Sequence, residues 1–355
     1  MYRVGILTFQ FAHNYGALLQ AYSLKRILTN KGISTEILNY LPNGLWENYS
    51  LNPIYSIRKK QFKKLLLTPK RIKQANRFFE FQKKELQLGS PVKHLNSEVV
   101  KEFDALIVGS DQVWNDSILP DTGPYFFEGI SGVTKLAYAA SFGTNELTET
   151  IKTKIKTCLP TFSAVTVRET SGINLIKSLG VDYAVEHVCD PVFLLSSDKW
   201  RRFYKRNNYS PRNKKYILYV DLRNDARLID KAKELRSQMQ YEVVYIHPTC
   251  LQTTEKSFIQ LYDVGPLEYL WLIDNAEYIV TNSFHAVAFS MIFQKKVFHI
   301  ADNNLGNRVM DLLETFSLEE KENLIDCSML DIEESDFVKK SKEIISVMMR
   351  LIWGE

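Results

Sequence analysis

Short apolar strands alternate with amphipathic helical segments along the chain, and this alternation limits the fold more than any other sequence feature. RVGILTF at 3–9, DALIV at 104–108 and YILYV at 216–220 are mostly apolar along their length. Strands of that kind are buried on both faces, as in a parallel sheet that helices cover on each side. The predicted strands are 3–9, 34–39, 104–108, 135–140, 163–167, 184–188, 216–220, 242–246, 278–281 and 296–300, and the predicted helices are 16–30, 149–158, 170–179, 225–239, 266–275 and 284–293.

Two such series within 355 residues predict an α/β protein of two doubly wound, Rossmann-like domains that face a cleft. We place the N-terminal domain at 1–192, with a helical excursion at about 45–100, and the C-terminal domain at 193–333. The apolar positions of 334–355 predict a last helix docked on one domain. In such folds the functional loops follow the carboxyl ends of the strands, so residues directly after strands are the first candidates.

Charge and cysteine content exclude several classes of protein. The net charge is +4, but nine Lys and Arg and no Asp or Glu lie within 58–77, so the basic character is local. That distribution argues against an extended nucleic-acid groove. Four scattered cysteines show neither a disulfide framework nor zinc-ligand spacing. Because no apolar run approaches about 20 residues and no signal peptide is visible, we expect a cytoplasmic protein.

The stretch TNSFHA at 281–286 joins a predicted buried strand to an apolar helix, with His285 in the first helical turn. Unpaired N–H groups and the helix dipole favour an anion at such a turn, so Asn282 and Ser283 are candidate ligand contacts. A histidine beside an anion suggests acid–base chemistry. The alternative is that His285 only caps or packs the helix.

A similar turn follows the first strand, where Asn14 or Gly16 would present free N–H groups at the start of a helix. The alternative here is an ordinary strand-to-helix turn. These two turns lie in different predicted domains, and the carboxyl ends of their strands would face the same cleft.

Three further strand ends carry candidate side chains. In GSDQVWN at 109–115, Asp111 could act as a base or orient a hydroxyl, and an exposed Trp114 would suit the apolar face of a sugar ring. Ser110 or Asp111 could instead cap a helix. Arg168 follows a strand in TVRET and could bind a carboxylate or phosphate, or form a salt bridge with Glu169 or Asp190.

Several common motifs are absent from the sequence. There is no GxGxxG after a strand, no GxxxxGK[ST], no GxSxG and no HExxH. No strand ends in an Asp-x-Asp pair that would hold a divalent metal and a pyrophosphate. The sequence therefore favours metal-free chemistry on an anionic substrate.

Taken as an ordered set, the motifs resemble those of the polysaccharide pyruvyl transferase family. They are ILTFQFAHNYGALLQAYSL, FDALIVGSDQVWN, YAASFG, VRETSG, CDPVFLL and IVTNSFHAVAFSMIF, over about residues 3–300. The resemblance implies a fold like that of two-domain GT-B glycosyltransferases. It also implies phosphoenolpyruvate as the donor and a hexose of a capsular, exopolysaccharide or cell-wall glycan as the acceptor, free or lipid-linked, without a cofactor or metal.

The resemblance also implies roles for the candidate residues. His285 and Asp111 would be catalytic, Arg168 would bind the donor with the turn residues Asn282, Ser283, Asn14 and Gly16, and Trp114 and Ser110 would contact the acceptor. Members of the family often carry Arg where this chain has Ser283, so Arg223 or Arg308 would have to supply that charge.

Two alternatives to this function remain open. One is a nucleotide-sugar glycosyltransferase of the same fold, and the other is a non-catalytic glycan-binding protein. If the N-terminal domain holds the acceptor, the basic segment 58–77 could contact an anionic lipid carrier or the inner face of the membrane. A solvated pair of helices is the alternative for that segment.

Overall fold

We describe the protein from a computed structural model, for residues 2–49, 68–207, 209, 214–247, 255–300 and 308–355. The part of the basic segment at 58–67 lies outside these residues. Within them, each predicted domain contains one mainly parallel sheet, and residues of both domains line a shared cavity.

The N-terminal sheet has six parallel strands in the order β2-β1-β3-β4-β5-β6, counted over the described residues. Its inner strands are almost fully buried, as their continuous apolar sequences predict. The strands are β1 (Arg3–Leu7), β2 (Ser34–Ile37), β3 (Ala105–Val108), β4 (Thr134–Ala140), β5 (Ala164–Val167) and β6 (Val185–His187).

The C-terminal sheet has seven strands in the order β12-β13-β11-β10-β7-β8-β9 among the described residues. The five strands from β11 to β9 in this order are parallel, whereas β13 and β12 run antiparallel at one edge. The strands are β7 (Tyr216–Val220), β8 (Glu242–Ile246), β9 (Ile259–Leu261), β10 (Tyr278–Thr281), β11 (Lys296–His299), β12 (Glu320–Lys321) and β13 (Leu324–Asp326).

Helices cover both sheets. Most begin at a side-chain cap; for example, the Asn14 side chain accepts a hydrogen bond from Ala17 N. The helices are α1 (Tyr15–Asn30), α2 (Thr68–Phe81), α3 (Ser97–Val100), α4 (Glu149–Cys158), α5 (Thr170–Lys177), α6 (Ser197–Tyr204), α7 (Ala226–Met239), α8 (Pro266–Asp274), α9 (Phe284–Ile292), α10 (Arg308–Thr315) and α11 (Asp336–Trp353).

Helix α11 follows the C-terminal sheet in the chain but packs on the N-terminal domain. Its Ser341 Oγ accepts a hydrogen bond from Cys189 N at 2.9 Å, and Lys340 forms a 2.9 Å ion pair with Glu186. Val338, Ile345 and Met348 are buried on its inner face. The last segment therefore ties the end of the chain to the β6 side of the first sheet.

The topology marks one place in each sheet where a ligand is expected. The chain leaves β1 toward β2 on one side and returns to β3 on the other side, and it does the same at β7 between β8 and β10. Crevices form at the carboxyl ends of strands where the order reverses in this way. The loops after β1, β3, β7 and β10 are therefore the ones that the fold places at a binding crevice.

Candidate functional site

Residues from all four of these loops line one cavity of about 250 Å³ between the domains. His13 and Asn14 follow β1, Asp111 follows β3, Arg223 follows β7, and Ser283 follows β10. Three other cavities, of about 270, 300 and 440 Å³, lie away from the two points where strand order reverses. The full lining is His13, Asn14, Tyr15, Gly16, Tyr49, Asp111, Gln112, Val220, Leu222, Arg223, Tyr269, Asn282, Ser283, Phe284, His285 and Arg308.

His285 lies in the first turn of α9 and contacts the N-terminal domain through both ring nitrogens. Its side chain is 10% exposed, and Nε2 lies 3.6 Å from Asp190 Oδ2, beyond hydrogen-bond distance. Nδ1 faces Gly16 so closely that a Cβ at position 16 would lie 2.0 Å from it. The imidazole is thus enclosed between the end of β6 and the start of α1, which requires glycine at position 16.

Asp190 is the centre of a buried polar cluster beneath His285. Its Oδ2 accepts hydrogen bonds from Arg168 Nη1 at 2.9 Å and from Ser110 Oγ at 3.3 Å, and its Oδ1 accepts one from Val192 N. Burial alone would raise the pKa of the Asp190 carboxyl, but His285 and Arg168 outweigh it and hold that pKa below its ordinary value. A charged carboxylate therefore lies next to His285.

Arg168 lies below the cavity rather than on its lining. Its Nε donates to Glu169 Oε1 and its Nη1 to Asp190 Oδ2, both at 2.9 Å, which is the salt bridge that the sequence left open as an alternative. Burial would lower the pKa of Arg168, but these two carboxylates raise it above its ordinary value. Nη2 is buried without a hydrogen-bond partner. Two of the three guanidinium nitrogens of Arg168 already bind carboxylates, so only Nη2 is available to a ligand. Contact between Arg168 and the donor stays a prediction.

Asp111 lies on the cavity lining at the end of β3. Its backbone is in the left-handed region, with φ of 82°, and its Oδ1 accepts a hydrogen bond from Gln112 N at 2.8 Å. The side chain is not a helix cap, because no helix begins there among the described residues. Asp111 and His285 thus face the same space from different domains.

Three turn residues on the lining use their side chains to shape the loops. Asn14 caps α1 and Ser283 caps α9, in each case by accepting a backbone N–H bond. Asn282 donates to Asp221 Oδ1 and accepts from Leu222 N, both at 2.9 Å, and so links the loops after β7 and β10. Ligand contacts by these residues remain predictions; the structure places them at the expected cavity.

The two predicted acceptor contacts require correction, because neither side chain reaches the cavity. Trp114 is 1% exposed, stacks on Phe126 with ring centroids 5.1 Å apart, and donates its indole N–H to Tyr125 O. Ser110 is fully buried, and its hydroxyl contacts Ala139 O and Asp190. Sequence position after a strand could not distinguish a side chain that enters the cavity from one that turns into the core.

Other cavity residues were missed because they do not directly follow strands. Tyr269 lies within α8 and stacks on Tyr15 with centroids 4.4 Å apart, and burial raises its pKa. Tyr49 precedes the segment outside the described residues, and its ring lies 5.4 Å from that of His13. His13 was visible in the loop after β1, but Tyr49 and Tyr269 give no local sequence signal of a site.

Arg223 and Arg308, which the sequence suggested as replacements for an arginine at position 283, both line the cavity. Arg308 begins α10, and its Cζ lies 5.9 Å from the centroid of the Phe284 ring. Arg168 Cζ lies 4.4 Å from the same centroid. The residue that precedes His285 therefore contacts two guanidinium groups.

Two further properties concern only the residues that the structure describes. No three His, Cys, Asp or Glu side chains among them are grouped as metal ligands would be. None of their helices is both long enough and apolar enough to cross a membrane.

Comparison with known proteins identifies a family and a fold. The sequence model of the polysaccharide pyruvyl transferase family matches residues 14–304, which is most of the chain. No curated protein is significantly similar. Among solved structures, the UDP-GlcNAc 2-epimerase of Methanocaldococcus jannaschii, solved with UDP-GlcNAc and UDP, is 15% identical with a TM-score of 0.53, covering 98% of this chain and 99% of its own.

MnaA of S. aureus, solved with UDP, is 10% identical with a TM-score of 0.57, over 100% of this chain and 97% of its own. The UDP-GlcNAc 2-epimerase of Neisseria meningitidis is also 10% identical, with a TM-score of 0.54 over 99% and 100% of the two chains. At such identities the likeness concerns the fold alone. It confirms the predicted GT-B-like arrangement of two Rossmann-like domains.

Proposed function

Because the chain belongs to the polysaccharide pyruvyl transferase family, we propose that it transfers pyruvate from phosphoenolpyruvate to two hydroxyls of one hexose. The hexose would be part of a capsular, exopolysaccharide or cell-wall glycan, free or lipid-linked, and the product would be a ketal. The observation that carries this proposal is the His285–Asp190 pair at a cavity formed by the loops of both domains.

The reaction needs one proton donor and a site for two anionic groups. C3 of phosphoenolpyruvate gains a proton and becomes a methyl group, and the first sugar hydroxyl then adds to C2 and loses its proton. Phosphate leaves, and the second hydroxyl adds to C2 and loses its proton. One donor and one diol therefore give one ketal and one inorganic phosphate.

His285 is suited to the proton transfer. The Asp190 carboxylate lies beside Nε2, so the proton given to C3 would come from Nδ1, on the side of Gly16. The same nitrogen, once neutral, can take a proton from a sugar hydroxyl. The N-termini of α1 and α9 meet at this ring and present N–H groups to the donor's anions.

Asp111 faces His285 from the N-terminal domain, which holds the acceptor in this proposal. Its carboxylate would accept a hydrogen bond from a sugar hydroxyl and orient it toward C2. Trp114 and Ser110 have no part in this contact because they are buried.

The direct test is to incubate the protein with phosphoenolpyruvate and a panel of aryl and lipid-linked glycosides. We expect phosphate release together with addition of a pyruvate mass, less one water, to one glycoside. Release of UDP or GDP from a nucleotide sugar, without phosphate release from phosphoenolpyruvate, would contradict the proposal and support a glycosyltransferase. Glycan binding without any turnover would support a binding protein.

A further inference from the structure

We propose that Arg308 binds an oxyanion of the donor, carboxylate or phosphate, and takes the place of the arginine that is absent at Ser283. The inference rests on the proposed function for the identity of the donor. The oxyanion-binding role of Arg308 does not depend on the proposed function, because any ligand that brings an oxyanion into this cavity would contact the same side chain.

Arg308 is placed for a ligand rather than for a structural ion pair. It lines the cavity with His285, and its Nε is buried without a hydrogen-bond partner among the described residues. Its Cζ lies 5.9 Å from the centroid of the Phe284 ring, within the range of a cation–π contact. A buried guanidinium donor without an acceptor is costly, and a bound oxyanion would satisfy it.

The contrast with Arg168 shows which guanidinium has capacity for a ligand. Arg168 packs against the same ring but is neutralised by Glu169 and Asp190, at 2.9 Å each. No ion pair joins Arg308 to a carboxylate in the described part of the chain. Accordingly, burial and repulsion from Arg168 lower the pKa of Arg308 to about 10, whereas the pKa of Arg168 is raised.

The position of Arg308 also fits the missing charge. Ser283 uses its hydroxyl to cap α9 at Ala286 N, so position 283 itself carries no cation. Arg308 enters from α10 and reaches the ring of Phe284, between Ser283 and His285 in sequence. The guanidinium of Arg308, which belongs to α10, therefore places a positive charge beside the turn that contains Ser283.

The experiment measures binding of phosphoenolpyruvate, inorganic phosphate and pyruvate to the full chain by calorimetry. Arg308→Gln should weaken binding of phosphoenolpyruvate at least about tenfold, the effect of one lost charge-assisted hydrogen bond. Its melting temperature without ligand should equal or exceed that of the wild type, because Arg308 makes no hydrogen bond through Nε that would be lost. Arg350→Gln removes the same charge from an exposed position on α11 and should change nothing.

The two small probes identify the oxyanion. Loss of phosphate binding alone assigns Arg308 to the phosphate, and loss of pyruvate binding alone assigns it to the carboxylate; either result supports the inference. Unchanged binding of all three ligands to Arg308→Gln would overturn it. If Arg308→Gln does not fold, Arg308→Met is used instead, because it places an apolar side chain against Phe284. Unchanged binding of all three ligands to that variant would likewise overturn the inference.

Failure of this inference can be told apart from failure of the proposed function. If the wild type binds inorganic phosphate or UDP but not phosphoenolpyruvate, the proposed donor is wrong. Weaker binding of that phosphate or UDP by Arg308→Gln would still support an oxyanion site. If the wild type turns over phosphoenolpyruvate and Arg308→Gln does so with unchanged KM, the function stands and the role of Arg308 is overturned.

Discussion

At the scale of single residues, the chemistry depends most on His285, because it faces the cavity while Asp190 lies against its other side. Replacement by alanine should lower kcat by at least about 100-fold, the usual contribution of a general acid–base group. The measurement is steady-state phosphate release, with circular dichroism to confirm folding. The control is His94→Ala, at an exposed position outside this cavity. A decrease in kcat of less than tenfold for His285→Ala would contradict its role as the acid–base group.

Gly16 offers a geometric test of the same ring. A methyl group there would lie 2.0 Å from His285 Nδ1, so Gly16→Ala must displace the imidazole or the start of α1. We expect a loss of kcat approaching that of His285→Ala. Gly89→Ala is the matched control, because its Cβ would meet only Glu36 Oε1, at 3.3 Å. Wild-type kcat in Gly16→Ala would mean that the ring position is unimportant.

Asp190 should link stability to pH in a defined direction. Its pKa in the folded protein is lower than its ordinary value of about 3.9, so its stabilising effect is complete above that pH. The effect is lost as pH falls below about 3.9 toward the folded-state pKa. Asp190→Asn should therefore melt well below wild type at neutral pH, since it leaves Arg168 with one fewer carboxylate.

Thermal melting of both proteins from neutral pH into the acid range tests this expectation. The difference in melting temperature should shrink below about pH 4, where Asp190 takes up a proton in the unfolded chain but is still charged in the folded protein. Asp198→Asn removes an exposed partner of Arg201 and should have little effect at any pH. A difference between wild type and Asp190→Asn that stays constant across the range would show that the Asp190 charge is not the cause.

Most of the predicted site residues line the cavity, and each of these lies in the loop or helix start that follows a strand. Asn14, Asp111, Ser283 and His285 reach the cavity because parallel strands deliver their carboxyl ends to one edge. Tyr49, Tyr269 and Arg308 reach it through packing between segments that are distant in sequence, which no local pattern encodes. Trp114 is the opposite case. It lies in the loop after a strand but is buried away from the cavity, because it packs against Phe126 and Phe142.

At the scale of elements, long apolar strands and capped helices were predictable, and short edge elements were not. Helix α1 starts within one residue of its prediction because Asn14 is a strong cap. Strand β9 and the β12–β13 pair are two or three residues long and only partly buried, so they carry little periodic signal. Their pairing is decided by the sheet edges beside them rather than by their own residues.

The basic segment 58–77 gives a prediction at this scale. Within it, α2 begins at Thr68, and Arg77 pairs with Glu268 of the other domain. We expect that replacing lysines 59, 60, 63 and 64 by glutamine weakens binding to anionic vesicles, since each contributes about 1 kcal/mol near such a surface. Turnover of a lipid-linked acceptor should fall, while turnover of a short soluble acceptor should not.

Vesicle sedimentation at low and high salt provides the measurement, because screening should abolish the wild-type binding. The control replaces four lysines of the C-terminal domain by glutamine: Lys214, Lys215, Lys233 and Lys256. Equal vesicle binding by wild type and the first variant, with equal turnover of both acceptors, would show that 58–77 is only a charged surface.

At the scale of the whole molecule, the site exists only because the two domains are packed together. Tyr15 of the first domain stacks on Tyr269 of the second and donates to Val264 O at 3.1 Å. Thr170 N contacts both carboxylate oxygens of Asp311 at 3.2 Å, again across the domains. His285 and Asp190 themselves come from different domains, so the alignment of the proposed acid with the acceptor side depends on domain packing.

The most direct test of the central claim is one reaction in D₂O with phosphoenolpyruvate and the accepted glycoside. The account predicts one phosphate released per pyruvate attached, and one deuterium in the methyl group of each product ketal, because the proton at C3 comes from His285. His285→Ala should form neither product at a comparable rate. Phosphate release without pyruvate on the sugar, or a ketal whose methyl group carries no deuterium, would contradict the account.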